Sequence, residues 1–144
     1  MTKCIFCDIV NGNEDAAFVY RDEIVSAFMD IQPVNPGHVL IIPNKHAPFL
    51  ADLDEASGAR IFQVAQRVSA AIRSSVIPCE GINFFLADGE AAMQEVFHVH
   101  LHVFPRFVGD GFGLVFAERY FSKPPRVELE LAATSIREQL PGSW

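Results

Sequence analysis

The sequence is short of positive charge: 11 Lys and Arg stand against 18 Asp and Glu, a formal net charge of −7 over 144 residues. That balance argues against a broad basic surface for nucleic acid or anionic membrane, because both need clustered Lys and Arg. A polyanionic ligand needs a local electropositive site instead. No run approaches the roughly 18 consecutive apolar residues of a membrane-spanning helix. The start, Met1-Thr2-Lys3-Cys4-Ile5-Phe6-Cys7-Asp8, shows no basic region followed by an apolar stretch and a small-residue cleavage site. A cytoplasmic protein, bound to neither membrane nor nucleic acid, is expected. Cysteine is scarce, three in all. In a reducing compartment Cys4 and Cys7 fit thiolate ligands better than a disulfide, with Cys79 a spare. Internal repeats and low-complexity tracts are absent from the sequence.

What is present is a core. Half the residues are hydrophobic and a fifth charged, with 13 Phe, so residues 1–144 are expected to form a single domain. Before residue 50 the pattern is β-like. Ala17 to Tyr20, Ile24 to Met29 and His38 to Pro43 are short apolar runs, the first two joined by Arg21-Asp22-Glu23 as a hairpin. Gln32-Pro33-Val34-Asn35-Pro36-Gly37 must be a loop. From Asp54, a candidate N-cap, the residues Ile61, Val64, Ala65, Val68 and Ile72 follow helical spacing. Two further strands, Ile82 to Ala87 and His98 to Phe104, complete an expected five-stranded sheet. After a glycine-containing loop from Arg106 to Lys123, Leu129, Ala132, Ala133, Ile136 and Leu140 mark a final helix.

The chemistry concentrates in His98-Val99-His100-Leu101-His102. Alternate side chains of a strand share a face, so the three histidines point one way while Val99, Leu101 and Val103 point to the core. The outer two lie roughly 13 Å apart at Cα, too far for one metal ion to collect all three. Three readings compete: a reaction centre, a solvent-facing row, and a metal site built from His98 and His100. Cys4-Ile5-Phe6-Cys7 has the two-residue spacing with which a tight turn brings two sulfurs to one metal ion. A redox pair and two small buried residues are its alternatives, and no thioredoxin-like pattern accompanies it.

His98-Val99-His100-Leu101-His102-Val103-Phe104 resembles the signature of the histidine triad (HIT) family of nucleotide hydrolases and transferases, His-φ-His-φ-His-φ-φ with φ apolar. The resemblance extends to Ile5-Phe6, Phe28-Met29-Asp30-Ile31-Gln32-Pro33, Gly37-His38-Val39-Leu40-Ile41-Ile42-Pro43 and Pro105-Arg106, in order along the first three quarters of the chain. It implies an α+β fold: a five-stranded, mainly antiparallel sheet with a central helix and a C-terminal helix, paired as a homodimer. It also assigns His100 as the nucleophile on the α-phosphorus of a purine nucleotide. A neutral imidazole suits that role, since its free lone pair can form a labile phosphoramidate. His102 contacts the phosphate and assists the leaving group, a role its protonated form favours.

The zinc-bearing, bacterial-type branch of the family implies a further set, Cys4, Cys7, His46 and His98, holding a structural zinc. Four protein ligands leave no position for an activated water. The fifth histidine, His38, is taken as structural. The nucleotide would lie among Ile5, Phe6, Ile9, Phe28 and Ile31, with Asp30 receiving the ribose hydroxyls and Gln94 on the phosphate side. Three departures stand out: Met93 replaces a glycine, Glu95 replaces a Ser or Thr donor, and Ala87 replaces an Asn or Gln amide. Arg106 is either a guide for polyphosphate or a surface charge, and the loop with Gly109, Gly111 and Gly113 is a candidate lining of the site. The implied activity is hydrolysis of a dinucleoside polyphosphate or nucleoside phosphoramidate. Nucleotidyl transfer and nucleotide binding with weak turnover are the alternatives, and a zinc-stabilised nucleic-acid module is disfavoured by the missing basic stripe.

Overall fold

The apolar runs before residue 50 become strands β1 (Phe18–Arg21), β2 (Val25–Met29) and β3 (Val39–Pro43). Two more strands, β4 (Gly81–Phe85) and β5 (Leu101–Arg106), join them in a sheet of order β1-β2-β3-β5-β4, antiparallel throughout. This computed structural model describes residues 3–142, which fall into two units divided between Phe112 and Gly113. Among the described residues no helix is long and apolar enough to cross a membrane.

The expected hairpin turn is held by Asp22, whose Oδ1 accepts the N–H groups of Ile24 and Val25, both at 2.8 Å. Its other oxygen receives Arg60 Nε at 2.8 Å, tying the hairpin to the main helix. That helix, α2 (Glu55–Ser74), starts where Asp54 accepts the backbone N–H of Ser57 at 2.9 Å, a cap worth about 1 kcal/mol. Ile61, Val64, Ala65, Val68 and Ile72 are buried against Val25, Val39, Ile41, Val99, Leu101 and Val103 of the sheet. Each larger aliphatic side chain buried in this way contributes about 1.5–3 kcal/mol.

Two sequence expectations change. The cysteine segment forms a short helix, α1 (Ile5–Val10), rather than a tight turn. Its Phe6 and Ile9, three apart and so on one side, are buried with Phe28, Leu40 and Ile42 on the sheet face opposite α2. The last strand begins at Leu101, not His98, and runs on to Arg106. The β3–β5 pairing ends at Ile41↔Leu101. Two residues further in that register Val99 faces Pro43, which has no N–H to donate; Val99 instead donates to Ala47 at 2.8 Å.

In the second unit, α3 (Arg126–Gln139) forms where the periodicity places a helix, and its Leu129, Leu131 and Ile136 are exposed. Ahead of it, Phe116 stacks on Tyr120 with ring centroids 3.8 Å apart.

Candidate active site and metal centre

The alternation read from the sequence holds across the irregular lead-in. Val99, Leu101 and Val103 enter the α2 core, while the His98 and His100 rings lie 5.8 and 5.1 Å from the ring of Phe6 on the other face. The rings of His100 and His102 are 4.9 Å apart. His98 is fully buried and His100 nearly so.

His98 faces the cysteines. Its Nδ1 stands 3.4 Å from Cys4 Sγ, 3.6 Å from Cys7 Sγ and 3.2 Å from His46 Nδ1, and Cys7 Sγ is 3.4 Å from His46 Nδ1. Bond lengths usual in tetrahedral zinc sites give nitrogen–sulfur edges of about 3.6 Å and nitrogen–nitrogen edges of about 3.3 Å. The four donors, all within 4.8 Å of one another, therefore fit one four-coordinate cation. The opposite ring edge fixes the tautomer: His98 Nε2–H donates to the Pro43 carbonyl at 2.8 Å, leaving the Nδ1 lone pair toward the thiols. Burial, followed by Cys4 and Asp8, pushes the Cys7 thiol up to about 11. A cation is what would drive these thiols to the ligating thiolate.

His100 is oriented by the same residue. Its Nδ1–H donates to the His98 backbone carbonyl at 2.7 Å, so Nε2 carries the free lone pair. Burial lowers its proton affinity, opposed by the His98 carbonyl and by the carboxylates of Asp30 and Glu95.

Beside it a second proton position is set from a distance. The backbone N–H of Val34 donates to His38 Nδ1 at 3.0 Å, which places the hydrogen of neutral His38 on Nε2. That hydrogen points at His102 Nδ1, 2.9 Å away. His102 in turn must carry its own hydrogen on Nε2. Burial, with His100 and His38, brings the pKa of His102 down to about 4. Burial thus favours neutral His102 in this structure, whereas the leaving-group role implied by the family resemblance is favoured by its protonated form. His38, read as structural, is buried and in hydrogen-bond contact with His102. Its sequence signal was weak: His38 alternates with Leu40 and Ile42, and only the pairing of Leu40 with His102 brings the two rings together.

The residues expected around a nucleotide divide by exposure. Phe6, Ile9 and Phe28 are buried, Ile5 is 42 % exposed and Ile31 fully exposed. One oxygen of Asp30 accepts Gln32 N–H at 2.8 Å; the other lies 3.5 Å from His38 Nε2 and 3.8 Å from His102 Nδ1. On the phosphate side, Gln94 is buried, donates to the Pro48 and Val96 carbonyls at 2.7 and 3.1 Å, and accepts from Gly89 N–H at 2.7 Å. Both amide hydrogens are engaged, so in this arrangement Gln94 braces the loop instead of offering a donor to phosphate. Met93 turns its side chain to solvent and adopts φ 67°, a left-handed backbone natural to the glycine it replaces. Ala87 is buried and has no side-chain donor. Arg106 grips Asp110 through Nε at 2.6 Å and Nη2 at 3.0 Å, and also reaches Asn83 and the Phe112 carbonyl. Its charge is thereby committed to holding the glycine loop, in which left-handed Gly109 and Gly111 turn Asp110 back toward it.

This arrangement has relatives. A family model described as the HIT domain matches residues 11–109. The chain belongs to the HIT family. An uncharacterized HIT-like protein of Borreliella burgdorferi is 44% identical over 116 residues, 78% of this chain and 82% of its own. Among solved structures, a HIT family member from Bacillus subtilis superposes with a TM-score of 0.88 at 36% identity, covering 99% of this chain and 100% of that one. A zinc-bound histidine triad family protein from Mycobacterium smegmatis gives 0.74 at 36% identity, covering 96% and 98%. A HIT family hydrolase from Legionella pneumophila gives 0.62 at 34% identity, covering 70% and 90%.

Proposed function

We propose that this HIT protein hydrolyses purine nucleotide derivatives at the α-phosphorus through a covalent intermediate on His100. The observation that carries the reading is the 2.7 Å bond from His100 Nδ1 to the His98 carbonyl, which leaves Nε2 as a fixed, neutral nucleophile. Nε2 attacks phosphorus, the bond to the leaving group breaks, and a nucleotidyl phosphoramidate forms. His102, holding its hydrogen on Nε2, donates to a phosphate oxygen or to the departing atom, which takes its final proton from solvent. Water then attacks phosphorus, the nitrogen–phosphorus bond breaks, and His100 returns with the nucleoside monophosphate released. The Legionella relative's description as a hydrolase supports the reaction class.

In this reading the nucleotide sits over Ile5, Phe6, Ile9, Phe28 and Ile31, with Asp30 at the ribose. Cys4, Cys7, His46 and His98 hold a structural zinc; their spacing and the zinc-bound Mycobacterium relative support that identity. The exposed Leu129, Leu131 and Ile136 of α3 support a homodimer, which sedimentation of the purified protein tests. The mechanism is tested by quenching the enzyme with substrate and locating the adduct by mass spectrometry. The expected result is a nucleotidyl group on His100 and loss of turnover in His100→Ala; no adduct, with undiminished turnover in that variant, would falsify it.

A further inference from the structure

The loop before β3 has few bonds of its own. Pro33 and Pro36 carry no N–H, and the turn Asn35-Pro36-Gly37-His38 closes on the bond from His38 N–H to the Asn35 carbonyl at 3.2 Å. Yet this loop places the Val34 N–H that fixes the His38 hydrogen. What holds it is the buried side chain of Asn35. Its Nδ2 spends both hydrogens outside the loop, on the Pro105 carbonyl at 2.9 Å and on Asp110 Oδ2 at 2.8 Å.

Asp110 is the hub of that anchor. Its buried carboxylate also accepts Arg106 through Nε at 2.6 Å and Nη2 at 3.0 Å, and the backbone N–H groups of Phe107 and Phe112 at 3.4 and 3.2 Å. Pro105 and Arg106 end β5, the strand that carries His102. The loop that sets the His38 tautomer is thus pinned to the strand of His102 itself. An apolar path runs in parallel: Arg106 covers the ring of Phe112, which meets Phe104 edge-on, and the Phe104 ring lies 5.0 Å from that of His38.

Resting on the roles read for His100 and His102, we propose that Asp110 is a positioning residue for this reaction, acting through Asn35 and Val34 to keep the hydrogen of His102 on Nε2. Without the anchor, the Val34 N–H leaves His38 Nδ1, and the hydrogen of His38 is free to sit on either nitrogen. His102 follows. When His38 Nε2 turns acceptor, His102 donates from Nδ1 and presents the Nε2 lone pair to the phosphate. A lone pair repels an anionic oxygen where the reaction needs a donor.

Nitrogen NMR of the histidine-labelled full chain and steady-state hydrolysis of adenosine phosphoramidate test the link together. Asn35→Ala cuts it and leaves the Arg106–Asp110 pair in place. Asp110→Asn keeps the volume but sets an amide among five donors, two of them from Arg106. Both variants should show His102 as a mixture of tautomers, while His100, held by the His98 carbonyl, stays a single Nδ1–H form. The kcat should fall by about two- to five-fold with a smaller change in KM, since an even mixture halves the competent population and the released rings also turn. Asp54→Ala destabilises the chain by removing the α2 cap and should leave both readouts at wild type. If Asn35→Ala does not fold, Asp110→Asn alone decides. A purely Nε2–H His102 in Asp110→Asn overturns the role of Asp110, and so does a tautomer mixture in Asp54→Ala, which would make the effect one of lost stability. Turnover surviving in His100→Ala overturns the underlying mechanism, while the His102 tautomers of the two variants still decide the link.

Discussion

His38 Nε2 and His102 Nδ1 stand 2.9 Å apart, and the hydrogen between them belongs to His38 because Val34 N–H occupies its other nitrogen. The tautomer of His102 is therefore decided by a backbone group in the Pro-rich loop. His38→Leu removes the donor and frees His102 to rotate or exchange its hydrogen. The expected loss is about ten-fold or more in kcat with a smaller change in KM. Nitrogen NMR of His102 should show a mixture of tautomers in the variant and a single Nε2–H form in the wild type.

Acid should unfold this protein early. His38, His100 and His102 all hold protons less tightly than an unfolded histidine, chiefly through burial. Their folded pKa values lie below 6.5, so the stability they bring is complete above pH 6.5 and is lost as pH falls, for His102 down to about 4. For His102 alone that interval corresponds to roughly 3 kcal/mol. Denaturant midpoints measured from pH 7.5 to 4 should decline across this window; a flat profile would contradict the buried neutral histidines.

Metal analysis of the purified protein should return one zinc per chain, and Cys4→Ala should lose most of it. Structural zinc sites contribute folding energy directly. A strong chelator should therefore lower the melting temperature substantially and leave Cys4→Ala little changed. Wild-type protein that is metal-free and equally stable would reject the ligand set.

Gly37, just before His38, has φ +95°, and a Cβ there would sit 2.9 Å from Ile77 Cγ2 and 3.2 Å from Pro105 Cγ. Gly37→Ala combines backbone strain with a clash and should destabilise by about 2 kcal/mol or more. Adding Ile77→Ala removes the nearest obstacle but not the strain, so the rescue of Gly37→Ala, measured against Ile77→Ala alone, should be partial.

Met93 presents the reverse case. Its left-handed φ of 67° carries about 1–2 kcal/mol of strain, while glycine adds roughly 0.5–1 kcal/mol of unfolded-state entropy. Met93→Gly should raise stability by up to about 1 kcal/mol, read as a higher denaturant midpoint with an unchanged slope.

Local pattern carried the sequence reading a long way. Asp54 as a helix cap, the α2 stripe from Ile61 to Ile72 and the alternation from His98 to Val103 are each fixed by residues close in the chain. The family resemblance brought Cys4 and Cys7 to His46 and His98, and these donors cluster. What escaped depends on partners far apart or on competing demands. His38 meets His102 across 64 residues, and Gln94 is drawn inward by the Pro48 carbonyl, 46 residues away. Arg106 looked free until Asp110 folded back upon it through two left-handed glycines. The lowered proton affinity of His102 is likewise illegible in the sequence, because burial, which the sequence does not display, outweighs the nearby carboxylate.

His98 joins the proposed metal site to the proposed nucleophile through its own backbone: its ring meets the thiols while its carbonyl receives the His100 hydrogen. If a cation at the thiols alters the affinity for a ligand beside His100, reciprocity requires that ligand to alter the affinity for the cation by the same factor.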